Sequence, residues 1–289
     1  MFSGAITALV TPFRNGAVDE DSLKGLVNWQ IEKGIDGLLA CGCTGEAATL
    51  TTPEQLLVIE KVLEAAEGRV PVIAGTGTNA TASSIALSRE ADAMGVDGVL
   101  LITPYYNKPT PRGQIEHYTR VADAVNCPVI LYNVPGRTGS NMLPSTIAVL
   151  SQHPRIAAIK DAAGSAERVT AIRNLCDITI LSGDDPLVMA QVALGGSGVI
   201  SVVSNIAPSE MSDLVSLTAS GELEPARALQ AKLYPVIKAM FLETNPIPVK
   251  KALSMMGLIN DELRLPLVSM TGELVPELEG VLKEAGIIR

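Results

Sequence analysis

Two thiols stand two positions apart in the stretch CGCTGEAATL (41–50), where Cys41 and Cys43 precede a threonine, a glycine and a glutamate. Such a pair could hold a metal ion, exchange electrons or belong to a catalytic loop. A structural zinc site uses about four ligands, and the only two histidines, His117 and His153, lie on or after predicted helices far from this stretch. A redox pair is typically spaced C-x-x-C. In an extended strand, residues i and i+2 face the same way, so both thiols are expected on one face. We predict a strand end at which Cys41 packs and Cys43 enters an active-site mouth, without a metal.

A lysine closes the apolar run RIAAIK (155–160), so the stem of Lys160 leaves a buried strand and its ammonium group is partly desolvated. An ordinary lysine, with a pKa of about 10.4, is a poor nucleophile at neutral pH. Desolvation favours the neutral amine, which can attack a carbonyl and form an imine. The structural alternative is a salt bridge to Asp161 or Asp184.

Two further side chains could serve an imine-forming lysine. Tyr132 closes the run PVILYN (128–133), and its phenol could pass protons and hydrogen-bond a hydroxyl or thiol from the second strand. The alternative is an ordinary core aromatic. Arg137 lies in the glycine-flanked segment VPGRTG, which could direct its planar guanidinium at a carboxylate. The alternative is a solvated loop arginine.

Other polar or glycine-rich pieces have simpler interpretations. AGTGTN (74–79) and LGGSG (194–198) lack the lysine and hydroxyl of a P-loop and the GxGxxG fingerprint, so both are interpreted as turns. The pair Asp184-Asp185 resembles a metal-binding carboxylate pair, but helix capping by Asp185 before Pro186 explains much of it.

The elements that position these residues alternate along the chain. Short apolar runs, typical of parallel strands buried on both faces, alternate with amphipathic stretches at the spacing of βαβ units. Eight such units favour a (β/α)8 barrel over an open sheet, with its chemistry at the carboxyl ends of the strands. The runs are GAITALVT (4–11), DGLLAC (36–41), VPVIAG (70–75), DGVLLIT (97–103), PVILYN (128–133), RIAAIK (155–160), ITILS (178–182) and GVISVV (198–203).

Helix signals separate the runs. Thr52 is predicted as the N-cap of a helix that continues with Pro53, and Gln55 completes the capping box. Gly34 and Gly95 are predicted to end two other helices. Residues 221–289 lack strong strand signals and contain three helical stretches. We therefore predict a catalytic barrel over 1–220 and a C-terminal helical extension, packed on it, over 221–289.

Composition excludes several classes of protein. Hydrophobic residues make up 47% of the 289 residues, and the formal net charge is −9. The charge argues against nucleic acid or an anionic membrane as a partner. No apolar run approaches the roughly 18 residues that a membrane span needs. The N-terminus lacks a basic n-region, and we expect a cytoplasmic protein whose four cysteines are reduced thiols.

Eight segments spread over essentially the whole chain occur in an order and spacing that are typical of one family; they are GxTGEAATL, PVIAGTGTNAT, TPYYNKP, ILYNVPGRTG, AIKDAAG, LSGDD, GVISV and NPIPVK. With these segments the chain resembles the dihydrodipicolinate synthase/N-acetylneuraminate lyase family. Within the family, YNVPGRTG and NPIPVK resemble the synthase branch. Sugar-acid aldolases of the same fold generally lack an arginine at the place of Arg137.

The resemblance implies a class I aldolase-type reaction without a cofactor. Pyruvate would condense with Lys160, and the resulting enamine would attack L-aspartate-4-semialdehyde in the diaminopimelate route to lysine. Tyr132 would relay protons with Thr44 and Tyr106 as its partners. Arg137 would hold the carboxylate of the aldehyde, and Gly183 and Ile200 would line the pyruvate pocket through backbone groups. The implied assembly is a homotetramer, a dimer of dimers, with Tyr106 reaching into the neighbour's site.

One departure from the family affects the expected rate. The family usually has GTTGE where this chain has GCTGE, so Cys43 replaces the first threonine. A thiol is a weaker hydrogen-bonding group than a hydroxyl, and the relay could be slower or differently routed. Two other functions stay open: a pyruvate lyase for N-acetylneuraminate or 2-keto-3-deoxy sugar acids, and a catalytically silent paralogue that binds a small molecule.

Overall fold

Eight parallel strands close into a barrel in the computed structural model, which describes residues 2–289. The strands are β1 (Gly4–Ala8), β2 (Gly37–Ala40), β3 (Val72–Gly75), β4 (Gly98–Ile102), β5 (Val129–Asn133), β6 (Ile156–Asp161), β7 (Thr179–Ser182) and β8 (Gly198–Ser201). Each strand pairs with the next along the chain, and β1 pairs with both β2 and β8 to close the ring. The predicted (β/α)8 barrel is confirmed, and each strand falls within one of the eight apolar runs except β6, which extends one residue beyond its run to Asp161.

The strands are apolar because both of their faces are covered. In β2, Leu38 packs outward against the helices while Leu39 packs inside the barrel. The same alternation in β5 places Ile130 and Tyr132 inside. Because residues two apart in a strand share a face, the inward position of Ala158 in β6 also turns Lys160 inward.

The helices within residues 2–289 cover the outside of this barrel. They are α1 (Glu20–Glu32), α2 (Thr52–Ala66), α3 (Thr81–Ala93), α4 (Pro111–Ala122), α5 (Pro135–Thr138), α6 (Pro144–Leu150), α7 (Glu167–Arg173), α8 (Val188–Ala193), α9 (Pro208–Ala219), α10 (Leu223–Ala239), α11 (Ile247–Met255) and α12 (Val275–Glu284). In this part of the chain no helix combines the length and apolarity needed to cross a bilayer.

The helix ends agree with the sequence signals except at α2. Gly34 and Gly95 follow α1 and α3 with φ of +82° and +87°, a backbone conformation that glycine adopts without strain. The N-cap of α2 is Thr51 rather than Thr52, and its capping-box partner is Glu54 rather than Gln55. The prediction was wrong by one residue because both neighbouring positions are threonines, and only Thr51 has the extended φ and ψ of a cap.

The last three helices pack on the barrel. Leu233 and Val236 of α10, Leu253 of α11 and Leu278 of α12 belong to the same buried cluster as the outward-facing strand residues. A short antiparallel hairpin, Phe13–Arg14 with Ala17–Val18, follows β1 and was not predicted. The helical character of the C-terminal part is confirmed, while the boundary between 220 and 221 stays a proposal.

Candidate active site

The centre of the site is the pair formed by Tyr132 and Lys160 on adjacent strands. The two residues are directly opposite in the register of β5 and β6. The Lys160 Nζ lies 4.4 Å from the centroid of the Tyr132 ring. Only 6% of Lys160 is exposed, at the carboxyl end of a strand whose preceding residues are apolar. The barrel therefore holds an amine and a phenol side by side in a nearly dry environment.

Burial makes the Lys160 amine more nucleophilic. Desolvation lowers the pKa of Lys160 to about 8, and the positive charge of Arg137 acts in the same direction. Cys43, Asp185 and Asp184 oppose this shift by favouring the ammonium form. A lysine with a pKa near 8 has an appreciable fraction of free amine at neutral pH, as imine formation requires.

The structural alternative for Lys160, an ion pair with a neighbouring aspartate, is not formed. The Asp161 carboxylate accepts from the Arg168 Nε at 2.8 Å. The Asp184 carboxylate accepts from the Gly164 backbone N–H at 2.9 Å. Both candidate partners are therefore engaged elsewhere, and the lysine is left available for chemistry.

Gly183 leaves space beside the lysine. A Cβ at this position would lie 2.6 Å from the Ala162 Cβ and 3.0 Å from the Lys160 Cε, closer than side chains normally approach. The Gly183 N–H donates to the Asp161 carbonyl at 2.8 Å. Ile200 of β8 is buried within the same barrel interior. The two residues predicted to line a pyruvate pocket thus lie on β8 and directly after β7.

The two thiols separate at the end of β2. The strand ends at Ala40, and Cys41 adopts a left-handed conformation with φ of +55°. Cys41 packs in the outer core with its Sγ donating to the Gln55 carbonyl at 3.5 Å, whereas Cys43 packs against the inner core. The expectation that both side chains face the same way is wrong, because the chain turns between them.

Tyr132 keeps its proton at neutral pH. Burial raises the pKa of Tyr132 well above its usual value, and the neighbouring Cys43 side chain raises it further. A phenol held in the neutral form can donate its proton and take one up again, as a relay requires.

Arg137 lies at the mouth of the barrel. It belongs to the short helix α5, is exposed, and its Nη2 donates to the Asn245 carbonyl at 3.0 Å. A cavity of about 360 Å³ opens here, with Cys43, Tyr132, Arg137 and Asn245 in its wall. Lys160 is not in that wall and lies behind the Tyr132 ring.

Thr44 and Tyr106 occupy contrasting places. Thr44 is buried, and its Oγ1 accepts from the Asn245 Nδ2 at 3.0 Å. Tyr106 has a left-handed backbone with φ of +70°, and 90% of it is exposed. Within a single chain the structure therefore brings Cys43, Lys160 and Tyr132 together but leaves Tyr106 apart.

Asp185 has a different role from the one predicted. Its Oδ2 accepts from the backbone N–H groups of Val202 and Val203, each at 3.0 Å, so it fixes the turn after β8. The interpretation as a helix cap is wrong, because the carboxylate turns away from its own helix and into the barrel end. Among residues 2–289, no three His, Cys, Asp or Glu side chains are grouped in a way that could hold a metal ion.

Comparison with known proteins decides the family. The family model described as the dihydrodipicolinate synthetase family matches residues 1–285. The chain belongs to this family.

Relatives in the family are similar over their full lengths. The 4-hydroxy-tetrahydrodipicolinate synthase of Trichlorobacter lovleyi is 52% identical over 290 residues, all of both chains. A crystal structure of a dihydrodipicolinate synthase superposes with a TM-score of 0.98 at 48% identity, covering 99% of this chain and 100% of the other. The chloride-inhibited dihydrodipicolinate synthase from Acinetobacter baumannii, complexed with pyruvate, has a TM-score of 0.98 at 43% identity and covers all of both chains.

A buried ion pair joins two of the family's sequence segments and was missed by sequence reasoning. Glu46, from the TGE segment, accepts from the Lys250 Nζ at 2.6 Å, and both side chains are almost fully buried. Lys250 also donates to the Thr11 carbonyl at 2.9 Å and lies 4.3 Å from the centroid of the Phe13 ring. The second Glu46 oxygen accepts from the Arg264 backbone N–H at 3.1 Å. The pair therefore ties the C-terminal extension to the loop that carries Cys43.

Removing one partner of this pair should destabilise the fold strongly. We expect Lys250→Met to lower the free energy of unfolding by about 3–5 kcal/mol, because Glu46 would remain buried without its counter-ion. Lys251→Met is the matched control. Its half-buried pair with Asp261 should contribute no more than about 1 kcal/mol. Denaturant unfolding of both variants measures the difference, and equal losses would contradict the assignment.

Proposed function

We propose that this chain catalyses the reaction of 4-hydroxy-tetrahydrodipicolinate synthase, the condensation of pyruvate with L-aspartate-4-semialdehyde in diaminopimelate and lysine biosynthesis. The observation that carries the proposal is a buried lysine whose pKa is lowered to about 8, next to a protonated tyrosine. Membership of the family and the pyruvate complex of the Acinetobacter baumannii relative support the choice of substrate.

The reaction begins with covalent capture of pyruvate. The neutral Lys160 amine attacks the C2 carbonyl carbon, and loss of water gives a protonated imine. Loss of a C3 proton then gives an enamine, whose C3 attacks the aldehyde carbon of the second substrate and forms a carbon–carbon bond. The amino group of that substrate displaces Lys160 from C2, which closes the ring and frees the enzyme. The imine is the electron sink that makes the C3 proton acidic.

Proton movements in these steps are assigned to Tyr132. Its raised pKa keeps it as a donor, so it can protonate the departing hydroxyl of the first adduct and recover the proton later. Thr44, Tyr106 and Cys43 are proposed as its relay partners. The position of Cys43 beside Tyr132 and Lys160 in the inner core supports its inclusion.

Substrate binding is assigned to groups around the mouth and the barrel end. Arg137 would hold the carboxylate of the semialdehyde, which its exposed place in the cavity wall supports. Thr44 and the backbone groups of Gly183 and Ile200 would hold pyruvate next to Lys160. The space that Gly183 leaves beside the lysine stem supports this arrangement.

The assembly proposed is a homotetramer made as a dimer of dimers. Tyr105 and Tyr106 form an exposed aromatic pair, the kind of side chain that is enriched at protein interfaces, and Tyr106, which is 90% exposed, would reach into the neighbouring subunit's site. The cytoplasmic location stays a prediction from the sequence.

A coupled assay with pyruvate and aspartate semialdehyde tests the proposed function. Turnover with both substrates is expected. Faster cleavage of N-acetylneuraminate or a 2-keto-3-deoxy sugar acid would favour the lyase alternative. Binding of pyruvate without turnover of any of these substrates would favour the silent paralogue.

Cys43 is expected to act as a replaceable relay group rather than a metal ligand or redox centre. Cys43→Thr should remain active, with kcat equal to or above that of the parent, because a hydroxyl is the stronger hydrogen-bonding group. A small methanethiosulfonate reagent should inhibit the parent but not this variant, and Cys176→Ser, altered outside the cavity, should respond like the parent. Zinc bound to the purified protein, or an inactive threonine variant, would contradict this role.

A further inference from the structure

Asn245 connects the C-terminal extension to two residues of the proposed substrate site. It lies in the segment between α10 and α11, is 5% exposed, and forms part of the cavity wall. Its side-chain Nδ2 donates to the Thr44 Oγ1 at 3.0 Å. Its main-chain carbonyl accepts from the Arg137 Nη2 at 3.0 Å. One residue from outside the barrel thus touches one group assigned to each substrate.

The bond to Thr44 sets the direction in which that hydroxyl can donate. A hydroxyl accepts up to two hydrogen bonds but has a single proton to give. Because Thr44 Oγ1 accepts from the Asn245 amide, its proton is free for another acceptor. A keto acid bound at Lys160 brings such an acceptor, its carboxylate. The amide oxygen of Asn245 is itself buried without a hydrogen-bond donor within residues 2–289.

A second connection fixes Asn245 against the loop of Thr44. Lys250, which follows five residues after Asn245, is paired with Glu46, which follows two residues after Thr44. The same two segments are therefore joined by a hydrogen bond and by a buried ion pair. This double attachment gives the amide a defined position relative to the threonine.

We propose that Asn245 is a positioning residue whose side chain orients the Thr44 hydroxyl towards the carboxylate of the keto-acid substrate, while its main chain supports Arg137. The proposal rests on the proposed function and extends it, since it makes the C-terminal extension part of the pyruvate site. Side-chain substitutions at this position remove the contact to Thr44 but keep the carbonyl that Arg137 uses. They should therefore raise the KM for pyruvate and leave the KM for the aldehyde nearly unchanged.

The experiment compares Asn245→Ala and Asn245→Asp with the parent and with Asn174→Asp. The last variant makes the same charge change at an exposed site at the end of α7, outside the cavity wall. KM for each substrate is measured in the coupled assay, and the pyruvate concentration that half-saturates borohydride trapping is measured without the aldehyde. Asn245→Ala should raise both the KM for pyruvate and the pyruvate concentration that half-saturates trapping by about 2- to 10-fold. Asn245→Asp should raise them about 10- to 100-fold, since a carboxylate would accept the Thr44 proton and repel the substrate.

Several results separate this role from a merely structural one. The aldehyde KM should stay within about threefold of the parent, and Asn245→Ala should add nothing further in a Thr44→Val background. Three results would overturn the proposal: equal rises in the KM values for both substrates, an unchanged KM for pyruvate, or effects of Asn245→Ala and Thr44→Val that add. If Asn245→Asp fails to fold, the alanine variant and the double variant decide alone. Absence of trapping in the parent itself would instead refute the proposed function.

Discussion

Replacing Lys160 with methionine should reduce kcat/KM by at least about 10⁴-fold, the scale of loss when a covalent nucleophile is removed. Methionine keeps an unbranched apolar stem in a buried place, so the fold should be retained. Lys160→Arg keeps the charge but has no amine that can form an imine, and should be equally inactive. Lys251→Met, on the helical extension, is the control and should retain activity. Activity above about 1% of the parent in either Lys160 variant would contradict covalent catalysis by this residue.

The same lysine should give imine formation a defined pH dependence. Burial lowers the pKa of Lys160 to about 8, so the neutral amine is the minor form below that pH and the major form above it. The rate of pyruvate trapping should therefore rise about tenfold per pH unit on the acid side and level off above pH 8. Trapping rates measured from about pH 6 to about pH 10 cover both this limb and the plateau. A rate still rising in proportion above pH 9 would mean an unperturbed lysine.

Replacing Arg137 with alanine should raise the KM for aspartate semialdehyde by roughly 10- to 150-fold. This corresponds to the loss of a charge-assisted contact of about 1.5–3 kcal/mol with the substrate carboxylate. The KM for pyruvate should change little, because pyruvate is proposed to bind deeper, at Lys160 and Thr44. Arg137→Lys should give an intermediate value, since it keeps the charge but loses the planar fork. An unchanged aldehyde KM in the alanine variant would contradict the assignment.

The barrel was predictable because its physical requirements are local. A strand covered on both faces is apolar at most of its positions, and such runs are visible one strand at a time. Lys160 and Tyr132 were identifiable for the same reason, since a polar residue at the end of such a run is conspicuous. The turn at Cys41 was not, because a φ of +55° in a residue other than glycine leaves no signature in composition.

Contacts between residues that are far apart in the sequence could not be predicted in this way. Asn245 is 201 residues from Thr44, and Lys250 is 204 residues from Glu46. Neither pair produces a local periodicity in the sequence. From its sequence neighbours alone, Lys250 would be predicted as an ordinary solvent-exposed lysine. Its near-complete burial appears only when the extension folds onto the barrel.

Borohydride reduction in the presence of pyruvate, followed by peptide mass spectrometry, tests the central claim most directly. Reduction converts an imine into a stable secondary amine, which marks the lysine that formed it. The account predicts a single pyruvate-derived adduct on the peptide that contains Lys160, and none in Lys160→Met. An adduct on another lysine, or no adduct at saturating pyruvate, would contradict it.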